Sequence, residues 1–252
     1  MKIVSIRDIH IGEGVPKIIV PLMGKNKDQL LTEIKTIQQV SPDIVEWRAD
    51  VLVDIENIEA VKETLSAIRK ALFPTPLLFT FRSHREGGNK EIKDAYYKRL
   101  LEAVILTKEI DLIDVELFSP HVSEIVEIAE AKDVFVIMSN HDFEKTPMKE
   151  EIIWRLQRMQ ELGAHIPKIA VMPKNPTDVL TLLDATYTMY SLHADRPIIT
   201  MSMASTGVIS RLAGETFGSA ATFGAGIEAS APGQIPAAEL RNMLEILHTN
   251  EN

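Results

Sequence analysis

The chain has 252 residues, 45% hydrophobic and 25% charged, the balance of an ordinary soluble globular protein with room for one large domain or two modest ones. Its formal charge of −9 argues against a general nucleic-acid surface, though not against a local cationic pocket for an anion. The absence of cysteine excludes disulfides, thiolate metal sites and cysteine nucleophiles together.

Charges come too early in Met1 to Asp8 for a signal peptide, and no apolar run approaches the roughly 20 residues that span a bilayer. The expected location is the cytoplasm, with neither membrane nor nucleic acid as partner. Met1 to Gly14 reads as a small hairpin turning at Ile11-Gly12-Glu13-Gly14. From there β-rich runs alternate with segments of helical spacing. Lys17 to Leu22 precedes a helix over Asp28 to Val40, Ile44 to Arg48 precedes Glu56 to Leu72, and Leu77 to Arg82 precedes Glu91 to Lys108. Leu112 to Leu117 precedes Pro120 to Ala131, Val134 to Ser139 precedes Lys149 to Leu162, and Ile166 to Met172 precedes Pro176 to His193. Ile198 to Met203 precedes a segment near Val208 to Thr216, and Ala220 to Gly224, the shortest run, precedes Ala237 to His248.

This alternation indicates βαβ units around a parallel sheet, whose doubly buried strands read as continuous apolar runs. Eight units fit a (β/α)8 TIM barrel of the usual size of about 250 residues. The expected organisation is one barrel domain over 1–252, with a hairpin over 1–16 closing one end and the barrel over 17–248. An open doubly wound sheet is the rival, but no Gly-x-Gly-x-x-Gly follows the first run. Thr146 before Pro147 predicts a helix cap, as does Asn175 before Pro176. In Glu91 to Lys108 the spacing predicts a buried face of Ile92, Ala95, Tyr96, Leu100, Ala103 and Val104.

Lys168 stands in the apolar run from His165 to Pro173. Burial there disfavours the ammonium, and a neutral amine is a nucleophile that condenses with a carbonyl to an imine. The alternative is a lysine that reaches water or pairs with a carboxylate. The C-terminal ends of barrel strands are where such folds place their sites, and several end in polar residues. Glu46 and Arg48 share a face, Arg82 precedes Glu86-Gly87-Gly88, His141 follows Ser139-Asn140, and Thr200 and Ser202 run toward Ser205 and Arg211. Ser230-Ala231-Pro232-Gly233-Gln234 follows the last strand. Each has a plain structural reading: ion pairs for Glu46 with Arg48 and Arg82 with Glu86, an ordinary loop at Gly87-Gly88, a hydrogen bond from His141 to Asp142, a helix cap for Arg211, a connection for Ser230 to Gln234. Their gathering on one rim points elsewhere. Arginines suit a carboxylate, Ser, Gln and Glu suit hydroxyls, a lysine suits a ketone, and a histidine suits proton transfer. The inferred ligand is a small polyhydroxylated keto acid. No metal is needed: His-Glu-x-x-His is absent, the seven histidines are scattered, and an iminium supplies the electron sink.

At these residues the chain resembles type I 3-dehydroquinate dehydratase, a shikimate-pathway family. The resemblance is carried by Glu46-Trp47-Arg48-Ala49-Asp50, Thr80-Phe81-Arg82-Ser83 with Glu86-Gly87-Gly88, and Ser139-Asn140-His141-Asp142-Phe143. It continues through Pro167 to Pro173, Met201 to Ala220, and Ala229 to Gln234. It implies a cofactor-free, metal-free barrel, usually a homodimer, acting on 3-dehydroquinate. Lys168 matches the Schiff-base lysine, His141 the general base, and Glu86 the carboxylate that orients it. Arg211 matches the ligand of the substrate carboxylate, Glu46, Arg48 and Arg82 the residues that hold ring hydroxyls, and Ser230 and Gln234 the closing loop. The implied reaction is syn elimination of water to give 3-dehydroshikimate. Pro21 departs from the pattern, since relatives often carry serine there. The residues by themselves also allow a class I aldolase, or a non-catalytic barrel that senses an acid; the lysine–histidine pair speaks against the second.

Overall fold

Runs rich in Ile, Val, Leu and Phe recur between amphipathic segments. In the computed structural model, described over residues 3–226 and 230–249, they become eight parallel strands. A short antiparallel pair, β1 (Val4–Ile6) and β2 (Ile9–Ile11), comes first. The parallel strands are β3 (Lys17–Leu22), β4 (Ile44–Arg48), β5 (Leu77–Thr80), β6 (Leu112–Glu116), β7 (Phe135–Asp142), β8 (Ile166–Val171), β9 (Ile199–Ser202) and β10 (Ala221–Phe223). Neighbours follow chain order, with β10 beside β3, and a bridge between Ile198 and Ser219 joins the last two strands. The sheet closes as a (β/α)8 barrel.

The helices are α1 (Lys27–Ile37), α2 (Ile58–Leu72), α3 (Asp94–Ile105), α4 (Val122–Glu130), α5 (Lys149–Glu161), α6 (Pro176–Leu192), α7 (Ile209–Leu212), α8 (Gly214–Phe217) and α9 (Ala237–Thr249). Among the described residues, no helix is long and apolar enough to cross a membrane. Asn175 caps α6 as expected, its side chain accepting from Asp178 N, with Pro176 in the first turn. Thr146 does not cap α5: its hydroxyl donates to Met172 O at 3.1 Å, and Met148 precedes the helix without a side-chain cap. The helix expected near Val208 to Thr216 breaks at Ala213-Gly214, where glycine disfavours continuation.

In α3 the buried face is Tyr97, Leu100, Leu101, Val104 and Ile105, while Ala95 is exposed. The helix rotates to bury its larger stripe: Tyr97 packs edge-on to Phe81 at 6.1 Å and its hydroxyl accepts from Glu116 N. The hairpin turns at Arg7-Asp8, not at Gly12 to Gly14, because pairing Val4 with Ile11 and Ile6 with Ile9 leaves only those two residues for the turn. Arg7 takes the left-handed region there, at φ 53°. This register sets Val4, Ile6 and Ile11 against Ile19, Ile44, Leu78, Leu112, Ile137, Ile166 and Ile199, which form the first interior ring of the barrel. The hairpin thus plugs the N-terminal mouth.

Side chains alternate along each strand. One set (Val45, Trp47, Phe79, Val115, Val136 and Ile169 among them) packs under the helices in the main apolar core. The opposite set faces the barrel axis. Two residues beyond the apolar ring it becomes Glu46, Thr80, Asp114, Ser139 and Lys168, all buried. An apolar floor therefore supports a charged layer at the C-terminal mouth, where barrel enzymes work.

Candidate active site

Lys168 lies on β8 with 3% of its surface exposed. Its Nζ sits 3.8 Å from Asp114 Oδ2 and 4.3 Å from the centre of the Phe223 ring. Burial holds the amine below its ordinary pKa, against the pull of Asp114 and Glu46, and Arg82 and Arg48 add to the lowering. Both sequence readings of this residue therefore hold in part: it is buried, and it has a carboxylate near it, but at a distance longer than a hydrogen bond.

His141, on the adjoining strand β7, pairs with Glu86 and not with Asp142. Glu86 Oε2 lies 2.9 Å from His141 Nδ1 and accepts from His141 N at 3.0 Å, and Oε1 accepts from Asn140 Nδ2 at 3.1 Å. When Glu86 is ionised and the shared proton rests on Nδ1, the other ring nitrogen keeps its lone pair. Asp142 faces the other way, accepting from Glu144 N and Lys145 N in the following turn. Burial, then the charges of Arg82, Lys168 and Arg48, hold His141 well below its usual pKa, so it is neutral at pH 7. Gly87 ends the turn that carries Glu86, at φ +83°, and a Cβ there would meet Phe143 at 2.4 Å. Phe143 lies stacked over His141 at 6.5 Å, so the glycine is required by this ring and is not an ordinary loop residue.

Burial, and next Glu116, push the Glu86 carboxyl up to about 8 from 4.5. A carboxyl raised in the folded state contributes stability that is fully present below its unfolded pKa and is lost as pH rises through about 8. Glu86→Gln removes this dependence. Its urea midpoint relative to the parent is expected to rise steadily between pH 5 and pH 9, and parallel curves would remove Glu86 from that role.

Arg48 does not pair with Glu46. Its fork grips Asp50, Nε to Oδ1 at 2.8 Å and Nη2 to Oδ2 at 3.0 Å, while Thr80 donates its hydroxyl to Glu46 at 2.9 Å. Arg82 reaches Glu116 at 3.0 Å, Asp114 at 2.9 Å, Ser139 Oγ at 2.9 Å and Glu86 at 3.5 Å. Arg211 differs: it is fully buried, yet within 4 Å it has no carboxylate among the described residues. Its Nη atoms donate to the carbonyls of Phe223 and Pro232, both at 3.3 Å, its Nε has no partner among the described residues, and burial lowers its pKa to about 10.

The closing segment is docked. Gln234 accepts from Ser230 N at 2.8 Å and donates to Ser230 Oγ at 3.0 Å, Ala204 N donates to Pro232 O at 3.2 Å, and Arg48 reaches Ser230 O at 3.5 Å. Gly233 (φ +80°) permits this, since a Cβ would stand 2.3 Å from Ala204 O. Ala229 lies outside the described residues. Under the loop is a cavity of about 40 Å³ lined by Glu46, Arg48, Arg82, Glu86, His141, Lys168, Ser230 and Gln234, together with Phe143, Met201, Met203 and Phe223. Eight of the nine candidate residues thus meet at one cavity; Arg211 sits one layer behind, under Pro232. A larger cavity of about 280 Å³ shares Glu86 and His141 but lacks Lys168.

Thr200 and Ser202 face outward: Thr200 meets Thr186 at 2.7 Å, and Ser202 N donates to Ser210 Oγ at 2.8 Å. Two interior carboxylates were missed, Asp114 and Glu116. Their signal was present, since they alternate in an otherwise apolar run just as Glu46 and Arg48 do. Among the described residues, no group of three or more His, Asp or Glu could hold a metal ion.

The family model described as type I 3-dehydroquinase matches residues 18–251. The chain is 60% identical over 252 residues to the 3-dehydroquinate dehydratase of Bacillus subtilis (strain 168), covering 99% of each chain. Among solved structures it resembles the type I 3-dehydroquinate dehydratase of Clostridium difficile with covalently modified comenic acid: 55% identity, TM-score 0.96, and 99% of both chains covered. The 3-dehydroquinate dehydratase of Geobacillus kaustophilus HTA426 is 40% identical, with TM-score 0.97 and coverage of 100% of this chain and 98% of the other.

Proposed function

The chain belongs to the type I 3-dehydroquinase family, and from that premise we propose that it dehydrates 3-dehydroquinate through a Schiff base on Lys168. It is a carbon–oxygen lyase of the shikimate pathway. The neutral Lys168 amine adds to the C3 ketone, and one proton is taken up as water leaves, giving an iminium with one positive charge. This cation acidifies the C2–H bond. His141 takes the C2 proton, the electron pair enters the iminium to form an enamine, and the enamine expels the C1 hydroxyl. His141 returns the proton to that hydroxyl on the same face, so a second water leaves by syn elimination. Water then hydrolyses the iminium, releasing 3-dehydroshikimate, the free amine and the proton.

One observation carries this reading: a lysine amine held below its ordinary pKa lines the same cavity as a neutral histidine anchored by Glu86. The Clostridium difficile enzyme was solved with covalently modified comenic acid, which is compatible with a nucleophilic side chain in that relative. Incubation with 3-dehydroquinate is expected to raise the absorbance of a conjugated enone. Borohydride added during turnover is expected to leave the reduced ligand on the peptide containing Lys168. An unlabelled Lys168, or label on another amine, sinks the mechanism; cleavage of a C–C bond in place of enone formation supports an aldolase. We propose a homodimer as the assembly, which sedimentation equilibrium reads.

The cavity of about 40 Å³ holds a water or two, whereas ligand pockets typically measure 300 Å³ or more. Substrate entry therefore requires the Ser230–Gln234 segment to lift, which frees the Arg211 Nη2 donor now taken by Pro232 O, beside an Nε that has no partner among the described residues. A carboxylate there gains a forked, charge-assisted pair. Arg211→Ala is expected to raise KM about 10²-fold, the worth of one or two hydrogen bonds to a charged group, with kcat lowered less. An unchanged KM takes Arg211 out of the carboxylate site.

A further inference from the structure

We propose that Asp114 is a positioning residue for imine formation, its carboxylate steadying the Lys168 amine and balancing the cation that forms on it. The role rests on the reading of Lys168 given above. Asp114 is fully buried on β6, two strands from Lys168. Its Oδ1 accepts from Ser139 Oγ at 2.7 Å. Its Oδ2 stands 2.9 Å from Arg82 Nη2 and 3.8 Å from Lys168 Nζ, and makes no well-aligned hydrogen bond. Among the described residues, Asp114 is the one carboxylate within 4 Å of Nζ. The other interior carboxylates are engaged elsewhere: Asp50 by Arg48 and Asn89, Glu86 by His141 and Asn140, Glu116 by Arg82 and Ser83 N, Glu46 by Thr80.

Layers inside a (β/α)8 barrel take residues from alternate strands. Asp114 and Lys168 come from β6 and β8, and Nζ rests over Phe223 of β10. The charged groups around Nζ are Glu46 and Arg48 from β4, Arg82 beyond β5, Asp114 from β6 and His141 from β7. A gap of 3.8 Å is too long to bind the amine in place by a hydrogen bond. It is short enough for a strong charge interaction in a dry site. The amine can therefore swing to the ketone, and when addition and loss of water leave a positive iminium nitrogen, a fixed negative charge is already beside it. A merely structural Asp114 would hold Arg82 and Ser139 and leave the titration of Lys168 unmoved.

The test compares the parent with Asp114→Asn, following the rate of hydride-trapped imine formation with 3-dehydroquinate from pH 5 to pH 10. Removing an anion this close lets the amine lose its proton more readily, so the acid limb of trapping is expected to move down by about one pH unit or more. The iminium loses its counter-charge, so kcat is expected to fall about tenfold or more, with KM nearly unchanged. An unmoved acid limb in a folded variant overturns the role of Asp114 while leaving the imine intact. No label on Lys168 in the parent sinks the imine reading itself. If Asp114→Asn does not fold, it is combined with Lys168→Met: restored folding shows that the two charges balance each other, and failure of the pair to fold shows that Asp114 serves the barrel alone.

Discussion

Lys168→Met is expected to lower turnover of 3-dehydroquinate on the order of 10⁴-fold or more, while the midpoint of thermal unfolding stays at or above that of the parent. The two halves of this expectation have different causes. Turnover falls because, among the described residues, no other amine lines the cavity: the remaining cations there are Arg48 and Arg82, both held by carboxylates. Stability does not fall because the lysine is a cost to the fold. Its ammonium is out of water, and Asp114, its near counter-charge, also serves Arg82. Replacing a buried charged chain by an apolar one of similar length is often neutral or stabilising, and Asp114 keeps Arg82 and Ser139. Steady-state rates and calorimetry on the same sample check both halves. Turnover within tenfold of the parent ends the case for a covalent amine, and a large drop in unfolding temperature would mean that Lys168 holds the barrel together.

The sequence carried the barrel well, because its strands are buried on both faces and its helices are long enough to show their spacing. β7 was the informative boundary. The apolar run ends at Ser139, but the strand continues through His141 to Asp142. Its last residues leave the apolar floor and enter the charged layer, so composition stops predicting a strand where function starts. The same cause hid Asp114 and Glu116. Read along the chain they are two acids in a strand; only the closed barrel sets them beside Arg82 and Lys168 from other strands. Pairings at the rim were likewise decided by three-dimensional neighbours. Arg48 turns to Asp50 because the short helical turn after β4 brings that carboxylate to its fork, and His141 turns to Glu86 because the turn ended by Gly87 carries Glu86 back over the mouth. Arg211 shows the limit most clearly. Sequence could mark it as a candidate, but not that the Pro232 carbonyl stands on its Nη2 donor while the loop is down.

His141→Ala is expected to lower kcat by about 10²–10⁴-fold, the usual worth of a placed general base, without removing the nucleophile. The imine can then form, more slowly, and stall before the C2 proton is lost. Borohydride should therefore still label Lys168 in this variant, whereas Lys168→Met takes no label at all; the two inactive proteins are told apart by mass. The pH profile gives a second reading. A base works only when neutral, and burial together with Arg82 and Lys168 keeps His141 well below 6.5. The acid limb of the parent set by this histidine is thus expected below pH 6.5, and His141→Ala should lose that limb while keeping any limb set by Lys168. A variant that keeps both the limb and a tenth of the parent rate would show that some other group takes the C2 proton. Glu86 would then be the next candidate, since it already shares the Nδ1 proton at 2.9 Å and its carboxyl is pushed up to about 8.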